Sequence, residues 1–346
     1  MVKFSFQNDY SEGAHPRILD ALSKSNFVQE SGYGEDQYCL EAAGLIRHAI
    51  GNAEADVHFV SGGTQANLIL LSSFLRPFES VIAVDSAHIC VHETGAIESS
   101  GHKINTIQGL DGKVTVREIE EMAAVHSDEH MVRPRVVFVS QSTEVGTIYS
   151  AKELREISQA CKKLGLYLYL DGARLGSGLT AKPADLELKE LCSLVDAFYI
   201  GGTKNGALIG EALVINHPAL KSDFRYMIKQ RGALLSKSRL LGIQFVELFR
   251  DTLYFDLARH ANQMAERLTA GITRLGYAVQ TASPTNQIFP IFPNTVIEKL
   301  SELYRFYVWC KVDPQHSAVR LVTSWATPES VIDEILADLG TMTAQK

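Results

Sequence analysis

No C-x-x-C pair occurs in the 346 residues, and the five cysteines, at positions 39, 90, 161, 192 and 310, are odd in number and far apart. That spacing excludes a disulfide framework and a thiolate zinc site, and leaves reduced, mostly buried thiols. The eleven histidines form no H-E-x-x-H or comparable ligand pattern, so no metal is expected. Basic charge is short as well: 33 Lys and Arg stand against 40 Asp and Glu, a net charge of −7. A nucleic acid or an anionic membrane needs a positive field that this chain lacks, which makes a small metabolite the expected partner. No apolar run approaches the ~18 residues of a membrane span, and Met1-Val2-Lys3-Phe4-Ser5-Phe6 is not the apolar core of a secretion signal. A cytoplasmic protein without membrane attachment is the expectation. Repeats, low-complexity tracts and long linkers are absent too.

What is present is an apolar content of 46%, enough for one large core and a smaller satellite. Between about residues 50 and 215, helical stretches alternate with short β-branched or aromatic runs, the pattern of a parallel sheet with crossover helices. The predicted strands are 56–60, 80–84, 135–139, 166–170, 197–200 and 211–215. Helices fit 65–75, 115–125 and 151–164, the last opened by Ser150 as N-cap with Glu153 three residues on. Beyond Gly232 a long helical stretch, 236 to about 275, leads to short strands at 277–281 and 287–292, a helix from Thr295, strands at 305–311 and 317–324, and a final helix at 328–339. The organisation expected is an N-terminal segment 1–45 that contributes to the site or an interface, a large α/β domain 46–250 and a small α+β domain 251–346.

Three segments combine strand ends with chemistry. In Ser61-Gly62-Gly63-Thr64-Gln65, glycines and free helical N–H groups after a strand make an anion seat, although the segment taken alone reads better as a plain glycine turn with Thr64 as N-cap. In Asp171-Gly172-Ala173-Arg174, a carboxylate stands at the carboxyl edge of a parallel sheet, where ligands bind. Buried there it needs a cationic partner such as a pyridinium N–H, unless it caps the next turn or pairs with Arg174. In Gly201-Gly202-Thr203-Lys204-Asn205-Gly206, a lysine lies between glycine-rich turns. It is either a solvated side chain or an amine placed where it loses its proton and acts as a nucleophile.

A phosphate seat, then an Asp, then a Lys about thirty residues later, each after a strand, resembles the threonine aldolase and β-eliminating lyase family over nearly the whole chain, from Asn8-Asp9 to Arg320. The resemblance implies pyridoxal 5'-phosphate fold type I, an aspartate-aminotransferase-like architecture with a large, mainly parallel seven-stranded sheet, helices on both faces and a smaller C-terminal α+β domain. It implies that Gly63, Thr64 and Gln65 seat the cofactor phosphate with help from Lys229, that His88 stacks on the pyridine ring, that Asp171 and Arg174 hold the ring, and that Lys204 is the Schiff-base lysine. Arg320 is similar to the arginine that clamps the substrate carboxylate, a task suited to its planar fork. His130 resembles a loop base and Tyr33 an active-site tyrosine; Arg174 and Asn8 join them as substrate-binding candidates. Asn8 stands where the family commonly has Ser, and Thr203-Lys204-Asn205-Gly206 where it commonly has Ser-Lys-Gly. The implied reaction is Cα–Cβ cleavage of a β-hydroxy-α-amino acid, L-threonine or L-allo-threonine to glycine and acetaldehyde, in a homodimer or homotetramer with shared sites. The alternatives are β-elimination to ammonia and a keto acid, and cofactor binding without turnover.

Overall fold

Seven strands build the central sheet of the computed structural model, which describes residues 2–344. Across the sheet they run Asp56–Val60, Glu211–Ile215, Ala197–Gly201, Tyr167–Asp171, Arg133–Ser140, Glu79–Val84 and Ile104–Ile107. Every pairing is parallel except the two made by Glu211–Ile215. Strands Glu79–Val84, Ala197–Gly201 and Glu211–Ile215 are buried at every position, so both faces of the sheet are covered. Six of the seven match strands predicted from sequence. The seventh, Ile-Asn-Thr-Ile at 104–107, is short and half polar, and its burial alternates as on a sheet edge.

Because parallel strands end on one edge, the loops after residues 60, 84, 140, 171 and 201 gather there. The single reversed strand begins at that edge: Glu211 sits in register with Gly201 on one side and Val60 on the other. Helix Ala151–Leu164 carries the predicted capping box from Ser150 and Glu153.

The C-terminal part departs from the sequence reading in detail. The long stretch expected from 236 to 275 is two helices, Arg239–Phe249 and Leu253–Arg274, interrupted at Arg250-Asp251-Thr252. The strand expected at 277–281 is reduced to one bridge, between Val279 and Pro290. Strand His316–Val322 pairs antiparallel with Gln287–Ile288, Ile291–Pro293 and Tyr307–Lys311. Helix Gln37–Ile50 crosses residue 45, and helix Leu253–Arg274 packs its first turns on the main core and its later turns on a second apolar cluster around Phe292 and Leu300. The expected domain limits at 1 and 346 lie outside the described residues.

The N-terminal arm is stitched to this second cluster. Phe4–Ser5 pairs with Tyr304–Arg305, the Phe6 ring is fully buried, and the Val322 N–H donates to the Phe6 carbonyl at 2.9 Å. This carries Asp9 into the interior beside the sheet edge, where it is 1% exposed. No helix among the described residues is long and apolar enough to cross a membrane.

Candidate active site

The anion seat is built from backbone. Helix Gly63–Phe74 takes Gly62, not Thr64, as its N-cap, and no side chain caps it. Its first helical bond runs from the Ala66 N–H to the Gly62 carbonyl, so the N–H groups of Gly63, Thr64 and Gln65 precede the ladder and point outward. The Gln65 side chain folds back and accepts from the Ser61 N–H and Oγ at 3.1 and 2.9 Å, which holds the turn. A Cβ on Gly63 would stand 3.0 Å from Tyr199 Oη, the group that also holds Asp171.

Asp171 ends its strand buried and takes three hydrogen bonds from neutral donors. Tyr199 Oη and the Ala173 N–H donate to Oδ1 at 2.7 and 2.9 Å, and Asn67 Nδ2 donates to Oδ2 at 3.0 Å. The pairing with Arg174 left open by the sequence does not occur. Arg174 instead makes a two-pronged bridge to Asp9, Nε to Oδ2 at 2.7 Å and Nη2 to Oδ1 at 3.0 Å. Burial alone would raise the Asp9 carboxyl, but the charges of Arg174 and Lys204 and bonds from Arg174 and Asn286 hold it at about 2. Asn67 links Asp171 to the next acid, since its Nδ2 also donates to Glu93 Oε1 at 2.7 Å, and His88 Nδ1 lies 2.8 Å from that same oxygen.

Lys204 follows strand Ala197–Gly201 by three residues, in a turn that Gly206 closes at φ +90, with Leu257 packed where a Cβ would stand. Lys204 makes no hydrogen bond or ion pair with any described residue. Burial and then the Arg174 charge lower its pKa, against the pull of Asp9, Asp171 and Glu211, which favours the neutral amine a nucleophile requires. Facing it, burial pushes the Glu211 carboxyl above the usual carboxylate range, with Oε2 accepting the Gly202 N–H at 2.9 Å.

These groups line one cavity of about 260 Å³: Gly63, Thr64, His88, Asp171, Arg174 and Lys204 all reach it. So do Tyr10, Glu144, Tyr199 and Glu211, which the sequence reading missed. Glu144 stands a few residues beyond a strand end, as Arg174 and Lys204 do, and that offset is the signal that would have found it. Arg320 lies close behind. Burial and then the Arg174 charge lower its guanidinium to about 10, and Nε and Nη2 donate to Gln287 Oε1 at 3.1 and 2.6 Å. Among the described residues it has no carboxylate partner, whereas Arg174 has one.

Four sequence candidates lie elsewhere in the chain. Asn8 closes its own turn by accepting from the Tyr10 N–H and Ser11 Oγ. Lys229 sits over the Tyr33 ring, 4.5 Å from its centre, and neither lines the cavity. His130 is in an exposed turn after helix Val116–Val125, its backbone N–H bound to Asp128, and its imidazole does not reach this chain's cavity. Its charged neighbours Asp128, Glu129 and Arg133 fit that exposed position.

Comparison with known proteins agrees with this geometry. Residues 11–294 match the β-eliminating lyase family. The chain is 36% identical over 341 residues, 96% of either chain, to the low specificity L-threonine aldolase of Pseudomonas sp. (strain NCIMB 10558). It superposes on the threonine aldolase of Leishmania major with a TM-score of 0.97 and 48% identity, covering 98% of this chain and 99% of that one. The aspartate aminotransferase of Thermus thermophilus, at 14% identity and a TM-score of 0.72 over 98% of this chain and 91% of that one, shares the fold alone.

Proposed function

The chain belongs to the β-eliminating lyase family, and from that premise we propose that it cleaves the Cα–Cβ bond of β-hydroxy-α-amino acids, converting L-threonine and L-allo-threonine to glycine and acetaldehyde. It is a pyridoxal 5'-phosphate-dependent lyase of fold type I.

The observation that carries the reading is a set of complementary groups on one sheet edge. Among the described residues Asp171 is a buried carboxylate with no ion pair, Lys204 a buried amine with no hydrogen bond or ion pair, and Arg320 a buried cation with no ion pair. The residues fit the cofactor. Asp171 would hold a protonated ring nitrogen, Lys204 the aldehyde carbon, and the N–H groups of Gly63, Thr64 and Gln65 the phosphate, with His88 against the ring. Bound there, pyridoxal 5'-phosphate supplies an electron sink for the pair released at the α-carbon.

The rest is the work of side chains. The Arg320 fork grips the substrate carboxylate, while its tie to Gln287 fixes the angle at which the amino acid enters. That angle selects the bond that stands perpendicular to the conjugated ring. Glu93 orients the His88 imidazole, and the Asp9–Arg174 bridge neutralises the second guanidinium, which leaves the Arg320 guanidinium, without a carboxylate partner among the described residues, to face the substrate. Removing Arg320 as Arg320→Ala should raise KM for threonine about 10–100-fold, the worth of a charge-assisted pair, with a smaller change in kcat. Steady-state kinetics over a substrate series checks this, and an unchanged KM would contradict the assignment.

We assign the enzyme to the cytoplasm and to a homodimer or homotetramer in which Tyr33 and Lys229, outside their own chain's cavity, complete that of a neighbouring copy. Product analysis over a panel of β-hydroxy amino acids tests the reaction. Equimolar glycine and aldehyde are expected, while pyruvate or another keto acid with ammonia would replace this reading by β-elimination.

A further inference from the structure

Three carboxylates line the cavity, and they differ in which of their oxygens already accept hydrogen bonds. Asp171 takes three hydrogen bonds and its remaining acceptor site is the one assigned to the ring nitrogen, and Glu211 lies at the lysine end with Oε2 bound to the Gly202 N–H. Glu144 differs: Oε1 accepts the His88 N–H at 3.0 Å and the Ser140 hydroxyl at 2.9 Å, while Oε2 is buried and takes no hydrogen bond from any described residue. A buried carboxylate oxygen without a donor is costly unless something polar reaches it.

The loop that carries Glu144 is clamped. Gln287 Nε2 donates to the Thr143 carbonyl at 3.2 Å, and Ser283 and Thr285 hydroxyls donate to the Gly146 carbonyl at 3.1 and 3.0 Å. The same fully buried Gln287 holds Arg320 through its Oε1. One side chain therefore ties the cation assigned to the substrate carboxylate to the loop that carries Glu144. Such a frame suits a ligand with an anionic end and a hydroxyl a few bonds away.

Resting on the cleavage reading above, we propose that Glu144 is a catalytic residue whose Oε2 accepts the β-hydroxyl proton of the substrate. The balance closes without another reagent. The O–H proton passes to Glu144, the Cα–Cβ bond breaks with its electron pair going to the α-carbon side, and the O–H pair becomes the second bond of the aldehyde carbonyl. A proton returned to the α-carbon then yields glycine. Burial and then the Asp171 charge raise the Glu144 carboxyl, making it a better proton acceptor than an exposed glutamate.

The test compares cleavage of L-threonine with a reaction that involves no β-hydroxyl, exchange of the glycine α-proton in D2O followed by NMR. Glu144→Gln should lower threonine cleavage by roughly 10²-fold, the scale of general-base catalysis. Its cofactor absorption, glycine affinity and glycine exchange should stay within a few-fold of wild type. Equal losses in cleavage and exchange, or no loss of cleavage, would overturn the assignment. If wild type itself forms no aldehyde, the reaction assigned to the chain fails instead. Should the variant not bind the cofactor, the wild-type pH dependence decides. Glu144 is faced by His88, Cys90, Tyr149, Asp171, Arg174 and the Ser140 hydroxyl, and Glu93 lies behind His88. The ratio of cleavage to exchange must fall as acid protonates Glu144, and a ratio constant with pH contradicts the proposal.

Discussion

Lys204→Ala should reduce aldehyde formation from L-threonine by roughly 10⁴-fold or more, as removal of a nucleophile does in other enzymes. The fold should survive, because Lys204 makes no hydrogen bond or ion pair with a described residue and its turn is held by neighbours. Asn205 Nδ2 donates to the Tyr254 carbonyl at 2.7 Å, and the Thr203 hydroxyl accepts the Gly210 N–H at 3.0 Å. Circular dichroism and thermal melting should therefore match wild type while turnover vanishes. Because burial and the Arg174 charge lower the amine's pKa, shortening the side chain also removes a buried group that costs energy to charge. The variant should be no less stable than wild type. A variant that retains more than a few per cent of wild-type turnover would contradict the role.

Asp171→Asn should cost on the order of 10³–10⁴-fold in turnover, the scale seen when a carboxylate is lost from behind a protonated ring. Asn is nearly isosteric and can still accept from Tyr199 Oη or the Ala173 N–H, so packing is kept. Its amide must, however, meet the Asn67 amide that now donates to Oδ2, and one donor is left without an acceptor. What disappears is the negative charge that would keep a ring nitrogen protonated. The cofactor should still bind through Lys204 and the seat at Gly63, so the variant is expected to be coloured yet nearly inactive. Absorption spectra and kcat measured side by side separate loss of binding from loss of chemistry. A near wild-type kcat would show that the carboxylate serves packing alone.

The strand ends were the legible part of the chain. Asp171 and Lys204 were readable because each follows an apolar run whose burial is dictated by composition, and the edge where such runs stop is a ligand edge in any parallel sheet. Their partners were not readable. Asp9 meets Arg174 across 165 residues of sequence, brought there by an N-terminal arm that pairs with a C-terminal strand. Glu211 reaches the edge because its strand alone runs backwards, and a strand's direction leaves no mark in a run of five residues buried throughout. Edge strand 104–107 escaped for a related reason, since Ile-Asn-Thr-Ile is too short and polar to stand out from a loop. His130 rested on the resemblance alone: its place among charged residues spoke for an exposed loop, and an exposed turn is where this chain holds it.

The C-terminal region was harder than the large domain because its strands are short and its helical periodicity runs on past the true break. Arg250-Asp251-Thr252 separates two helices with no Gly or Pro to mark the place; the Asp251 carboxylate accepts the Leu253 N–H at 3.0 Å and starts the second helix. This boundary matters for function, since helix Leu253–Arg274 supplies Asn262 to Ser177 and spans both apolar clusters. Arg320 and Gln287, the pair proposed to set the substrate's carboxylate, stand on strands that pack on the second cluster.

The most direct test of the account is chemical and needs no variant. The protein loaded with pyridoxal 5'-phosphate is reduced with borohydride, digested and mapped by mass spectrometry. A single pyridoxyl group on the peptide containing Lys204 is the result expected, and a group fixed on any other lysine, or on none, contradicts the assignment of the site.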